Sequence, residues 1–236
     1  MPHDSEIERL TDVYRGYATD GRVAERQSLA NRGNRMLLHE RWATITHLLK
    51  SVGWVPLGDR RILDAGCGGG GELARLVNLG ANPKRCCGVD LMSDRIDEAR
   101  RRYPLVDFRV GNVEKLDFPE AEFDLVFISM VLSSILDDSL RRAIANEVVR
   151  VLKPGGAILW YDFRYPSPTN RHVRPVSRRE LGTLFPGLSG SLRSITLMPP
   201  LARRLGPTTR IAYPLAASIP ALRSHLVGLL VKPAEK

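Results

Sequence analysis

The run Arg61-Ile62-Leu63-Asp64-Ala65-Gly66-Cys67-Gly68-Gly69-Gly70-Gly71 constrains this chain more than any other stretch. An apolar segment ends in an acid, five glycines fall among the six residues 66–71, and Glu72-Leu73-Ala74-Arg75-Leu76-Val77 continues with helical spacing. That order predicts a buried strand, a tight turn and a helix start. Glycine admits positive φ and removes the Cβ that would hold a ligand away. The new helix adds unpaired N–H groups and the positive end of its dipole. The turn is therefore a cradle for a nucleotide.

Gly66-x-Gly68-x-x-Gly71 also satisfies the dinucleotide fingerprint, with Asp90 near the position of a ribose-binding acid. Asp64 separates the two readings. A carboxylate just before the first glycine repels a pyrophosphate and attracts a ligand with an ammonium or sulfonium group. The charge argues against a nicotinamide dinucleotide.

Strand and helix alternate along the chain. Strands are expected at 62–64, 86–90, 107–112, 123–129 and 157–161, with helices at 73–80, 94–102 and 138–152 between them. The apolar Phe123-Asp124-Leu125-Val126-Phe127-Ile128-Ser129 reads as a central strand buried on both faces, and Asp124 as a structural strand-start residue. Lys153-Pro154-Gly155-Gly156 reads as a type II turn. A helix from Ser177, a strand at 191–197 and a last strand at 226–231 complete a seven-stranded, mostly parallel, doubly wound α/β sheet. The Pro-rich stretch 199–221 yields no assignment. Ligands of such sheets bind at the carboxyl ends of the strands, where Asp64, Asp90, Asn112, Ser129 and Asp162 all stand.

Residues 1–60 form a helical preface expected to act as a lid, and 61–236 the main domain. Helices are expected over 5–17, where Ile7, Leu10, Val13 and Tyr14 share a face, and from Met36 to Gly53, with a polar loop through Asn31-Arg32-Gly33-Asn34 between them. Cys67, Cys86 and Cys87 lack metal-ligand spacing and read as packing residues. No signal pattern or uninterrupted apolar span occurs, so the expected location is cytoplasmic. The whole net charge of +9 lies in 161–236, where twelve basic residues face three acids. That excess suits a solvated basic surface, an anionic substrate, a phosphate-bearing lipid surface or RNA.

Four pieces in order resemble the class I S-adenosylmethionine-dependent methyltransferases: Leu63-Asp64-x-Gly66-x-Gly68-x-Gly70; Gly88-Val89-Asp90-Leu91-Met92; Gly111-Asn112-Val113 through Asp124; and Leu152-Lys153-Pro154-Gly155-Gly156. The resemblance covers 62–162. It implies S-adenosylmethionine as cofactor, with the backbone of Gly66 and Gly68 and the carboxylate of Asp64 at the methionine end. Asp90 would take the ribose hydroxyls, Leu91 or Met92 the adenine face, Asn112 and the Val113 N–H the adenine edge, and Ser129 a backbone contact. Asn112 stands where the family often has an acid. An amide oxygen still accepts from the adenine amino group, without charge assistance.

Methyl transfer from a sulfonium requires positioning and exclusion of water, and a hydroxyl acceptor benefits from a base. Asp162 at the end of the fifth strand and His39 in the preface are the candidates. Arg164 and Arg174 could clamp an anionic acceptor. The segment 161–170 resembles one found in bacterial methyltransferases of natural-product or glycan pathways. The expected activity is methylation of a hydroxyl, before an amine, on a small molecule or sugar. An RNA methyltransferase and a catalytically silent, cofactor-binding subunit are the alternatives, and no aromatic RNA platform is present. No metal site is expected, and the oligomeric state stays open.

Overall fold

The computed structural model describes residues 3–166 and 170–234. Its strands are β1 Ile62–Ala65, β2 Cys86–Asp90, β3 Asp107–Val110, β4 Phe123–Ser129, β5 Leu152–Phe163, β6 Ser189–Leu197 and β7 Arg223–Val231. They form one sheet in the order β3-β2-β1-β4-β5-β7-β6. β7 runs antiparallel to both of its neighbours, and the other pairs are parallel. This is the doubly wound sheet that the alternating pattern predicts.

The helices are α1 Asp4–Thr19, α2 Gly21–Gln27, α3 Arg32–Ser51, α4 Gly71–Asn78 and α5 Ser93–Arg102 in the first half. α6 Asp138–Val151, α7 Arg178–Leu184, α8 Pro199–Arg204 and α9 Thr209–Ala217 follow. Because side chains alternate along a strand, the central strands feed two cores. Leu125 and Phe127 pack with α3, α4 and α5, whereas Val126 and Ile128 pack with α1, α6 and α7. Cys86 and Cys87 divide in the same way, and all three cysteines are free and buried. Asp124 is structural: it accepts from the Arg61 N–H at 2.7 Å and from the Lys153 ammonium at 2.9 Å.

Three local expectations are corrected. The polar stretch 31–34 is a helix start and not a loop, because the Asn31 side chain accepts from the Gly33 and Asn34 N–H groups and caps α3. An additional short helix, α2, precedes it, capped by Asp20. Gly155 has the positive φ of +74° that the turn requires, yet β5 already starts at Leu152 and carries the turn as an irregularity opposite β4.

The unassigned stretch 199–221 folds as α8 and α9. Pro199 and Pro200 occupy the first turn of α8, where their missing N–H groups cost nothing. Ala202, Tyr213 and Ala217 then form a small third core with Leu197, against Met36 and Leu37 of α3. β6 ends and β7 starts on the rim where the parallel strands end, since Leu197 pairs with Arg223 and Phe163 with His225. The α8–α9 segment therefore sits on the ligand rim.

A Cβ on Gly33 would fall on the Ala202 carbonyl, so α3 and α8 touch through backbone at that point. Gly33→Ala is expected to cost about 1–3 kcal/mol in urea unfolding. Gly16→Ala in α1, where a Cβ meets nothing within 4 Å, is expected to gain up to about 1 kcal/mol. Equal midpoints for the two variants would show that the α3–α8 contact carries no constraint.

Candidate active site

The glycine loop is built for close approach. Gly66 has φ +84°, Gly68 +50° and Gly70 +78°, all in the left-handed region. A Cβ on Gly66 would also strike the Val131 side chain. Gly70 serves packing, since its Cβ would meet Phe108 and Tyr103, while Gly71 faces open space. The loop is fastened to β2 in two ways. The Gly66 and Cys67 N–H groups donate to the Val89 carbonyl at 2.8 and 3.0 Å. The Asp90 carboxylate accepts from the Gly68 N–H at 2.8 Å and the Met92 N–H at 2.9 Å.

A cavity of about 250 Å³ opens beside this loop. Gly66, Asp90, Leu91, Asn112, Val113 and Ser129 line it, which brings six of the expected cofactor positions onto one wall. Asn112 is held in place by Glu114: its Oδ1 accepts from the Glu114 N–H at 2.9 Å and its Nδ2 donates to Oε2 at 3.2 Å. Gly68 stands just behind the wall, bound to Asp90.

Asp64 is also behind the wall, in an unusual condition. It is 1% exposed, and neither carboxylate oxygen has a hydrogen-bond partner. Burial pushes its carboxyl well above the usual carboxylate range, and the like charges of Glu72 and Asp90 push the same way. Arg41 of α3 opposes them, but it is ion-paired to Glu72 and lies over the Tyr161 ring at 4.7 Å from the centroid. A buried acceptor without a donor is costly, and a ligand cation would relieve it.

The catalytic candidates do not meet the cavity. Asp162 is 1% exposed and faces α6, accepting from the Ser133 N–H at 3.0 Å and from its neighbour Phe163 N–H at 2.8 Å. It braces the loop after β4 and so positions Val131 and Ser134 on the wall. His39 is exposed on α3, and α3 covers the sheet face opposite α1. Of the described preface helices, α1 and not α3 lines the cavity, through Ile7, Leu10, Thr11 and Tyr14. Arg174 is engaged with Asp138 at 2.5 Å and Glu180 at 2.8 Å, and Arg164 donates to the Tyr165 hydroxyl at 2.7 Å, so neither lines the cavity. Residues 167–169 of the segment 161–170 lie outside the described residues.

Sequence reasoning missed how α1 is fastened. Glu6 accepts from the Leu136 N–H at 2.6 Å, Arg9 donates to the Ser134 carbonyl at 2.7 Å, and the Tyr14 hydroxyl meets Ser134 Oγ at 2.9 Å. Arg95 of α5 lies over the Tyr14 ring at 4.7 Å, and both line the cavity. The apolar face of α1 was visible in the spacing of Ile7, Leu10 and Tyr14. Its partner, a loop more than a hundred residues away, had no local signal.

Sheet order, glycine loop and rim together define a class I methyltransferase fold. Residues 62–156 match the family model described as a methyltransferase domain. The chain is 38% identical over 107 residues to a fatty-acid O-methyltransferase of Mycolicibacterium smegmatis, covering 44% of this chain and 38% of the relative. Over 140 residues it is 34% identical to phthiotriol/phenolphthiotriol dimycocerosates methyltransferase 1 of Mycobacterium ulcerans, covering 54% and 49%. The chain spans less than half the length of these relatives. Among solved structures, a SAM-dependent methyltransferase of Archaeoglobus fulgidus shares the fold with a TM-score of 0.58 at 16% identity, covering 81% of this chain and 94% of that one.

The residues present fit the cofactor, S-adenosylmethionine. The unpartnered Asp64 carboxylate suits its ammonium group, Asp90 has lone pairs left for ribose hydroxyls, and Asn112 and Val113 line the same cavity.

The Asp162 carboxyl is pushed up to about 6 by burial, above its ordinary value of 3.8. A raised acid binds its proton more tightly in the folded state. Stability is therefore expected to fall as pH rises from about 4 through 6, by on the order of 2–3 kcal/mol. Asp162→Asn should flatten that fall in urea titrations and leave the pH–rate profile in place. A displaced pH–rate profile would return Asp162 to the role of base.

Proposed function

We propose that the chain transfers the methyl group of S-adenosylmethionine to an oxygen, carboxylate or hydroxyl, of a small apolar acceptor. When bound, the cofactor supplies a methyl carbon activated by its sulfonium. The protein's part is to hold the two reactants in line and to keep water out. Gly66, Asp64, Asp90, Asn112, Val113 and Ser129 would fix the cofactor, while α1 would close the cavity through its fastening to Ser134 and Leu136.

The observation that carries the acceptor reading is the composition of the cavity wall. Among the described residues its titratable side chains are Tyr14, Asp90 and Arg95. Asp90 is tied to the glycine loop and Tyr14 is held protonated by burial, so neither suits a general base near neutral pH. An acceptor oxygen that is already ionised, such as a carboxylate, needs none. Ile7, Leu10, Met130, Val131 and Ile135 line the same space, which supports an apolar acceptor over a polyhydroxylated sugar. The similarity to a fatty-acid O-methyltransferase supports the same reading.

The test uses methyl-labelled cofactor with fatty acids, fatty alcohols, sugars and RNA transcripts in parallel. Label is expected in the organic phase as a base-labile methyl ester or a stable methyl ether. Gly66→Ala, which loads both the left-handed φ and the Val131 contact, is expected to lower turnover by at least about a hundredfold. Label in RNA or sugar alone, or tight cofactor binding without transfer to any acceptor, would overturn the proposal.

A further inference from the structure

The α8–α9 segment on the ligand rim carries a surface that its own packing does not explain. α9 turns Thr209, Tyr213 and Ala217 inward at a spacing of four, and all three are buried. On the other side Ile211, Leu215 and Ile219 repeat the same spacing but stand 72%, 66% and 49% exposed. Elsewhere among the described residues the exposed aliphatic side chains Leu29, Val52, Leu105, Val110 and Leu136 lie at separate points of the chain, which is ordinary. Ile211 and Leu215 on one face of α9, with Ile219 exposed two residues past its end, are not, and they mark a contact surface.

Its surroundings are basic. Arg210 precedes Ile211 on α9, exposed Arg204 ends α8, and Arg164 reaches the Pro220 carbonyl at 3.5 Å, which brings the half-exposed Tyr165 to the Ile219 end. From residue 181 to residue 234 the sequence contains no Asp or Glu, while it holds five arginines and one lysine. A second copy of this chain would bring arginine against arginine. An anionic sheet of headgroups over apolar tails matches both features, as it does for interfacial helices. No described helix is long and apolar enough to cross a membrane, so the contact would lie in the surface plane.

We infer that the exposed face of α9, with Arg204, Arg210 and Arg164 at its border, docks on an anionic lipid bilayer and places the ligand rim against it. The docking stands on this surface alone. That it serves to collect the acceptor from the bilayer rests on the apolar-acceptor reading above.

The test is flotation of the full chain with vesicles of phosphatidylcholine, alone or mixed with phosphatidylglycerol. The chain is expected to float with the anionic vesicles and at least about tenfold more weakly with the neutral ones. Arg204→Gln with Arg210→Gln should weaken anionic binding by roughly fivefold per arginine. Ile211→Ser with Leu215→Ser should abolish it. Both pairs are surface changes, so the melting temperature and affinity for S-adenosylhomocysteine are expected to stay at the wild-type value. Transfer to a detergent-dispersed acceptor is expected to stay there as well.

Three results would overturn the inference: no flotation with anionic vesicles, flotation indifferent to both variants, or a wild-type dimer that the Ile211/Leu215 variant dissociates. Vesicle binding that behaves as expected, without transfer to any dispersed acceptor, would overturn the acceptor reading and leave the docking in place.

Discussion

A carboxylate sealed under the end of a central strand, with no donor for either oxygen, is the feature on which the site depends. Asp64 could not be tolerated there as an ordinary core residue. Transferring such a group from water without a partner costs several kcal/mol, and Glu72 and Asp90 add like charge instead of relief. Arg41 compensates only in part, because Glu72 claims it. The unmet demand extends to Glu72 Oε2 and Arg41 Nε beside Asp64, which also lack partners, while other rim positions are held. Asp90 fastens the glycine loop, Asn112 is gripped by Glu114, and Gly66 leans on Val131. The cradle thus surrounds an unmet electrostatic demand of the sign that a cation, and not a diphosphate, would meet.

The second element of the design is the clamp across the cavity. α1 is covalently distant from the rim, yet Glu6, Arg9 and Tyr14 tie it to backbone and side-chain atoms of one short loop, 134–136. Asp162 holds that loop from below through the Ser133 N–H. The buried acid at the end of β5 therefore touches this loop and does not line the cavity. This also explains its raised proton affinity without a catalytic role: the group is dry, and its partners are backbone donors.

The sheet and the glycine rim were legible in the sequence because both are written in short-range patterns. Ile62 to Gly71 announces strand, turn and helix within ten residues, and the sign of the Asp64 charge already favours an ammonium-bearing nucleoside. Other features needed three dimensions. Asp162 and Tyr161 could be placed on opposite faces by alternation, but only the fold shows that the Asp162 face is closed by α6. His39 belongs to a helix that covers the far side of the sheet, which no spacing within residues 32–51 reveals. Arg174 reads as a free cation until Asp138 and Glu180 are found beside it. Prolines 199, 200 and 214 read as breaks, although the first two sit where a helix tolerates them and Tyr213 and Ala217 supply the burial that keeps α9 helical around the third.

The central claim is that the buried, unpartnered Asp64 carboxyl is the group that holds the ligand's ammonium. Calorimetric titration of S-adenosylhomocysteine into the wild-type chain and into Asp64→Asn measures this directly. The account predicts that the substitution weakens binding by at least about tenfold. Equal affinities in the two proteins would contradict it.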